Sequence, residues 1–123
     1  MNLKNDFYRI KNSCQTDAGT DFTIELNPEH FIYQSHFPNN PITPGVCIIQ
    51  IIKELSEDIL KRELFLKKLQ MVKFINVINP IVNKEITFSV SVSSEDNVTH
   101  KVDALVHKND SQFAKLTIRF INQ

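Results

Sequence analysis

The C-terminal third of the chain alternates apolar and polar residues with a period of two. Between residues 86 and 93, isoleucine, phenylalanine or valine stands at every even position and threonine or serine at every odd position. The same parity continues in 102–106 and in 114–120, and polar turn residues separate the three runs at 94–97 and 108–111. Such alternation predicts three strands with one buried face each.

Weaker alternation elsewhere predicts further strands. Residues 6–14 and 22–26 read as a hairpin across a polar turn at 15–20, and Asn27-Pro28 ends it. Residues 31–34 are expected to form a short extended piece. A β-rich run from Leu69 to Ile78 ends at Asn79-Pro80.

Between these strands lies one predicted long helix, from Val46 to about Glu63. Its first half is apolar nearly all round, which is typical of a helix surrounded by protein. Its second half is mixed and is expected to emerge towards solvent. The apolar residues of the helix are Val46, Ile48, Ile49, Ile51, Ile52, Leu55, Ile59 and Leu60. Together the patterns predict one α+β domain, residues 1–123, in which an antiparallel sheet curls around a central helix.

The stretch before this helix has the composition of a binding or catalytic site. His36 is followed by prolines at positions 38, 41 and 44, which stiffen the loop. Pro44-Gly45 stands where the helix begins, and the first-turn N–H groups of a helix have no partner within it. His36 is therefore a candidate base, and the amides of Gly45 and Val46 form a candidate oxyanion site.

Residues 36–46 read His-Phe-Pro-x-x-Pro-Ile-x-Pro-Gly-Val and lead into an apolar helix. This resembles the motif of the 3-hydroxyacyl-acyl-carrier-protein dehydratases of the FabZ type, which have the hot-dog fold. The resemblance implies that His36 takes the proton next to a thioester carbonyl and that Gly45 and Val46 polarise that carbonyl. It also implies a substrate site near Phe37, Pro38, Ile42, Pro44 and Phe74.

The same resemblance bears on cofactors and partners. It implies that the chemistry needs no metal and no organic cofactor, because the substrate arrives on the phosphopantetheine arm of acyl carrier protein. It further implies a homodimer or a higher oligomer, with two active sites at the dimer interface and an acidic residue supplied by the partner's central helix. A heterodimer with a homologue is the other arrangement to consider.

The position of that acid is occupied by Gln50, fourteen residues after His36. Glutamine forms hydrogen bonds but does not donate a proton at ordinary cost. Glu54 follows one helical turn later, where the resembling dehydratases carry glutamine, so the two residues look exchanged. Glu54 either acts at the site, directly or through a water held by Gln50, or is the first solvated residue of the polar half of the helix.

The resemblance, with its departure at Gln50, implies three candidate functions. The first is dehydration of a 3-hydroxyacyl thioester to a trans-2-enoyl thioester in fatty-acid or polyketide-type synthesis. The second is an impaired subunit that binds acyl thioesters beside an active homologue, which Gln50 favours. The third is an acyl thioesterase.

Charge and composition narrow the range of partners. Lys plus Arg equals Asp plus Glu, at 14 each, so no overall field favours nucleic acid or a membrane surface. The second half of the chain nevertheless carries a basic cluster, which is either a solvated connector or a landing patch for the acidic carrier protein. Its members are Lys61, Arg62, Lys67, Lys68 and Lys73.

The cysteines and the other histidines are not expected to be catalytic or to bind a metal. The N-terminus lacks the apolar core of a signal peptide, which leads us to expect a cytoplasmic protein with reduced cysteines. Cys47 belongs to the apolar helix. The remaining histidines lack metal-ligand spacing and are expected to be exposed; they are His30, His100 and His107.

Overall fold

A computed structural model describes residues 2–35 and 39–123. It contains six strands and two helices in these residues. In chain order they are β1 (Tyr8–Gln15), β2 (Thr20–Leu26), α1 (Phe31–Ser35), α2 (Gly45–Leu60), β3 (Leu64–Phe74), β4 (Glu85–Ser94), β5 (Thr99–Lys108) and β6 (Ser111–Asn122).

The strands form one sheet in the order β1-β2-β4-β5-β6-β3, and every neighbouring pair is antiparallel. One face of this sheet packs on α2, whose Ile51, Ile52 and Leu55 are fully buried. The even positions of β4, β5 and β6 supply most of the buried sheet side chains, as the alternation predicted. The predicted hot-dog arrangement of a sheet around one central helix is confirmed.

The ends of α2 follow from local chemistry. Pro44 precedes the helix in an extended conformation, with φ −63° and ψ 146°. The helix ends at Leu60, three residues before the predicted end, because Lys61 adopts the left-handed conformation with φ 56°. The Lys61 N–H donates to the carbonyl of Glu57, and the Glu57 carboxylate accepts the N–H of Leu64 at 2.9 Å. The chain thus turns directly into β3.

Two predictions about regular structure were wrong. Residues 31–34 are not extended but lie in the short helix α1, whose turn starts when Asn27 accepts the N–H groups of Glu29 and His30. The strand predicted at Leu69–Ile78 runs from Leu64 to Phe74. It is one of the two edge strands, and every residue after Leu64 is exposed, so no buried face marks its start in the sequence.

The expected exposure of the histidines was also wrong for two of three. His30 and His100 are each only 5% exposed. The His30 ring contacts Asp6 and accepts the N–H of Ile32, and His100 lies between Ser94 and Asn122. The ring nitrogens of both histidines therefore have polar partners. Asp6 and Asn122 are more than 20 residues away in the sequence, and Ile32 and Ser94 are close by. His107 is half-buried and contacts Ser89.

No helix within residues 2–35 and 39–123 is both long and apolar enough to cross a membrane.

Candidate active site

The N-terminus of α2 lies against an aromatic ring. A Cβ atom built on Gly45 would stand 2.6 Å from Cζ of Phe74 and 2.9 Å from Cε2. Contacts this short do not occur for real Cβ atoms, so only glycine allows this ring position. Glycine is thus needed at position 45 because the ring of Phe74, the last residue of β3, approaches so closely.

An apolar groove of about 260 Å³ opens beside this contact. Ile42 and Phe74, both predicted to bind substrate, line it together with Gly45. The side chains completing the groove are Ile48, Ile75, Val77 and Ile78, with Thr43 and Asn76 beside them. The structure therefore brings two predicted substrate residues to the predicted oxyanion site.

Two amides in the first turn of α2 have no acceptor among the described residues. The N–H groups of Cys47 and Ile48 donate to the carbonyl of Pro44, at 3.0 and 3.2 Å. The N–H groups of Gly45 and Val46 have no acceptor within residues 2–35 and 39–123, and no side chain there caps the helix. Val46 is 67% exposed. These amides combine with the positive end of the helix dipole to favour a developing negative charge.

His36, Phe37 and Pro38 lie outside the described residues, so their predicted roles remain predictions. The segments on either side of them are held together. The Tyr33 hydroxyl at the end of α1 lies 2.7 Å from the Thr43 hydroxyl, and both side chains are buried. Thr43 also donates its N–H to the carbonyl of Ile78.

Glu54 is buried and accepts four hydrogen bonds. Glu54 is only 8% exposed, which contradicts the alternative that it is the first solvated residue of the helix. The donors are the backbone N–H groups of Leu3 and Lys4, each at 2.8 Å, the Tyr8 hydroxyl at 3.0 Å and Gln50 Nε2 at 2.8 Å. Four donors match an ionised carboxylate, which only accepts.

Gln50 and Glu54 are in direct contact, without an intervening water. Because Glu54 only accepts, the amide of Gln50 must turn its NH₂ group towards it. The suggested exchange of the two residues therefore places a carboxylate and an amide side by side on one helix face. The catalytic roles predicted for both residues remain predictions.

Burial governs the other ionisable groups near this site. It raises the pKa of Tyr8, and the negative charge of Glu54 raises that pKa further. Burial likewise raises the pKa of Tyr33 and of the Cys47 thiol. Cys47 is thus kept as a thiol. This agrees with the prediction that it belongs to the apolar helix and is not a nucleophile.

Comparison with known families identifies the chain. The family model of ApeI-like proteins, described as ApeI dehydratase, matches residues 12–115. The chain belongs to the ApeI-like dehydratase family. No curated protein sequence is similar enough to count as a match.

Solved structures share the fold of this ApeI-like chain at low identity. The dehydratase heterocomplex ApeI:P from Xenorhabdus doucetiae contains a chain that is 18% identical, with 92% of this chain and 96% of that chain covered and a TM-score of 0.72. An uncharacterised protein from Erwinia carotovora subsp. atroseptica is 16% identical, with 90% of both chains covered and a TM-score of 0.66. A hypothetical thioesterase from Streptococcus pneumoniae, solved with coenzyme A, is 9% identical over 94% of this chain and 85% of that chain, with a TM-score of 0.64.

The basic cluster of this ApeI-like chain lies at the surface. Lys61 and Arg62 follow the end of α2, and Lys67, Lys68 and Lys73 stand on the edge strand β3; all five are exposed. No three His, Cys, Asp or Glu side chains in the described part of the chain are grouped as metal ligands.

The sequence did not point to the N-terminal partners of Glu54. Leu3, Lys4 and Tyr8 stand 46 to 51 residues before it. Two of the three contacts are made by backbone N–H groups, which every residue except proline carries. Only folding of the chain brings them to α2.

Proposed function

We propose that this chain removes water from a 3-hydroxyacyl thioester on acyl carrier protein and leaves a trans-2-enoyl thioester. The observation that supports this most is the uncapped start of α2 at Gly45, with the apolar groove of Phe74 and Ile42 beside it, in a chain of a dehydratase family. The groove would take the acyl thioester, and the Gly45 and Val46 amides would meet its carbonyl oxygen.

The proposed reaction assigns the base to His36. The imidazole takes the proton at C2, the C2–H electron pair forms the C2=C3 double bond, and the C3–O bond breaks. The charge that develops on the carbonyl oxygen is met by the amides at the start of α2. Phe37, Pro38 and Pro44 would line the approach of the phosphopantetheine arm.

The leaving hydroxide needs a proton to depart as water. Gln50 does not provide one, and Glu54 is surrounded by donors that suit its ionised form. The imidazolium formed from His36 is the proton source that fits this chain, and it returns to neutral imidazole as water leaves. Glu54 as the acid, acting through Gln50, is the alternative that the variants below separate.

The mass of the carrier protein tests the reaction. The purified chain is incubated with 3-hydroxyacyl carrier protein, and loss of one water from the acyl group supports the proposal. Release of the free acid would identify a thioesterase instead. His36→Ala serves as the control for contaminating activity, because it removes the base while leaving the described core unchanged.

A second candidate is an impaired acyl-binding subunit, and Gln50 at the acid position favours it. The chain would then pair with an active homologue; the structurally similar ApeI:P dehydratase of Xenorhabdus doucetiae is a heterocomplex. Under this proposal the mass assay shows no change with the chain alone, and activity appears only when the homologue is added.

Self-association is part of the proposed function. One backbone edge of β3 has no partner strand within the described residues, and its exposed apolar side chains suit an interface. They are Phe65, Leu66, Leu69, Met71, Val72 and Phe74. We expect a homodimer or a larger assembly through this edge, and light scattering on a gel-filtration column measures its mass.

A further inference from the structure

Two hydroxyl groups, those of Tyr33 and Thr43, form a buried pair beside the apolar groove. Their oxygen atoms lie 2.7 Å apart, and the two residues are 0% and 5% exposed. Among the described residues, Thr43 lines the groove and Tyr33 does not. The pair therefore connects the buried core with the groove that is taken as the substrate site.

The surroundings of this pair determine which hydroxyl is the donor. Each hydroxyl carries one proton, and within residues 2–35 and 39–123 neither side chain makes a second hydrogen bond. If Thr43 donated, the proton of the fully buried Tyr33 would have no acceptor, which is costly. Burial also raises the pKa of Tyr33, so the phenol keeps its proton. Tyr33 therefore donates to Thr43 Oγ1, and the Thr43 proton is directed elsewhere.

Thr43 is suited to place a donor in the groove. Its N–H donates to the carbonyl of Ile78 at 2.8 Å, and its β-branched side chain is stiff. In the described part of the groove lining, Asn76 carries the other polar side chain, and its amide nitrogen donates to the carbonyl of Gln112 at 2.8 Å. Thr43 is thus the hydroxyl donor of an otherwise apolar groove.

We propose that the Thr43 hydroxyl donates a hydrogen bond to the acyl thioester bound in the groove, and that Tyr33 is a positioning residue that directs this hydroxyl. This inference rests on the proposed function. The acceptor is an oxygen atom of the ligand, either the 3-hydroxyl oxygen or a carbonyl oxygen. Thr43 then contributes to substrate binding, and neither residue transfers a proton.

Paired substitutions separate this role from a purely structural one. Thr43→Val keeps the shape of the side chain but leaves the Tyr33 hydroxyl without an acceptor, so the melting temperature should fall by several degrees. Adding Tyr33→Phe removes the unpaired hydroxyl. Replacing both partners by apolar groups of the same shape is nearly neutral, so the double variant should regain stability. If Thr43 serves only Tyr33, the double variant should regain ligand binding as well.

Calorimetric titration with an unreactive ligand measures the binding. The ligand is 3-hydroxyoctanoyl-pantetheine amide, in which an amide replaces the thioester. We expect Thr43→Val and the double variant to bind it about tenfold more weakly than the unaltered chain, the size of one hydrogen bond. Thr43→Ser, which keeps the hydroxyl, should stay within about threefold. Octanoyl-pantetheine amide locates the acceptor: a tenfold loss there too places it on a carbonyl, and no loss places it on the 3-hydroxyl.

The positioning role of Tyr33 has a separate readout. Tyr33→Phe alone should weaken binding of the hydroxylated ligand by about threefold, because Thr43 loses the donor that fixes its direction. In the Thr43→Val background the same change should have no effect on binding. An equal loss in both backgrounds would show that Tyr33 does not act through Thr43.

The remaining outcomes distinguish this inference from the proposed function. A double variant that binds as tightly as the unaltered chain, or Thr43→Ser that binds as weakly as Thr43→Val, overturns the contact with Thr43. The double variant keeps this test open if Thr43→Val does not fold. If carrier-protein substrates lose water while Thr43→Val binds normally, the inference fails alone. If the variants behave as expected but no water is lost, the proposed dehydration fails while the Thr43 contact stands.

Discussion

The ring of Phe74 occupies the space that a side chain on Gly45 would need. The nearest approach, from a Cβ at Gly45 to Cζ of Phe74, would be 2.6 Å. The last residue of β3 therefore lies against the start of the central helix. This contact links the predicted oxyanion site to the groove that Ile42 and Phe74 line.

Gly45→Ala should impair catalysis more than stability. The added methyl group displaces the Phe74 ring, which is half-exposed and able to rotate, into the groove. Alanine also favours helix over glycine by up to about 1 kcal/mol, which offsets part of the strain. We expect kcat/KM to fall at least about tenfold with a nearly unchanged melting temperature. The same change made in a Phe74→Leu background should be far less harmful than in the original chain; an equal loss in both would show that the ring is not responsible.

Gln50→Glu should destabilise the chain in a pH-dependent way. It places a second carboxylate against Glu54 Oε2, where the two negative charges repel unless they share a proton. Protonation is then favoured in the folded chain, so the destabilisation should be small near about pH 4.5 and grow towards about pH 7.5, reaching about 1–3 kcal/mol. Urea unfolding at both pH values measures it.

Adding Glu54→Gln to Gln50→Glu should relieve this repulsion, because an amide again faces a carboxylate. The double variant also places a carboxyl group where the family that the motif resembles carries its acid. If Glu54 acts as the acid in the original chain, Glu54→Gln alone abolishes dehydration. Full activity of Glu54→Gln would contradict that role.

Reversing Lys67 and Lys68 to Glu should weaken binding to acyl carrier protein. Both side chains are exposed on β3, and an acidic carrier surface would be attracted to them over roughly the Debye length of about 10 Å at 0.1 M salt. We expect Kd to rise at least about tenfold at low salt. The Kd values of the variant and of the unaltered chain should converge as the salt concentration rises. Lys84→Glu with Lys108→Glu makes the same change in net charge elsewhere. Gel filtration excludes a change of assembly, and equal affinities at low salt would remove the landing patch.

Asp96 should contribute to stability at neutral pH but not in acid. Its carboxylate accepts the N–H groups of Val98 and Thr99 at 2.8 and 2.7 Å, and these bonds lower its pKa. A carboxyl group with a lowered folded pKa stabilises the fold above its unfolded pKa, about 3.9, and this contribution is lost as pH falls through the folded value. Asp96→Asn should therefore lose less stability between about pH 6 and pH 3 than the original chain, as followed by thermal unfolding at each pH.

Regular patterns in the sequence were sufficient to predict the core. The alternation in β4, β5 and β6 has one parity because one sheet face is buried, and the apolar first half of α2 is surrounded because the sheet wraps it. The Pro44-Gly45 step marked the helix start to within one residue. These features depend on neighbours close in sequence, so the sequence determined the fold class by itself.

The site depended on contacts that no local pattern contains. Glu54 looked like the first polar residue of an emerging helix, yet residues 3–8 cover it and supply three donors. His30 looked exposed, yet it is buried, with its ring in contact with Asp6, Phe7 and Phe31. Leu64 opens an edge strand that has no buried face beyond it. The sequence determined which residues carry apolar surface and which carry chemistry; only the tertiary structure decided which donors meet Glu54, because burial and pairing of a polar group depend on segments far apart in the chain.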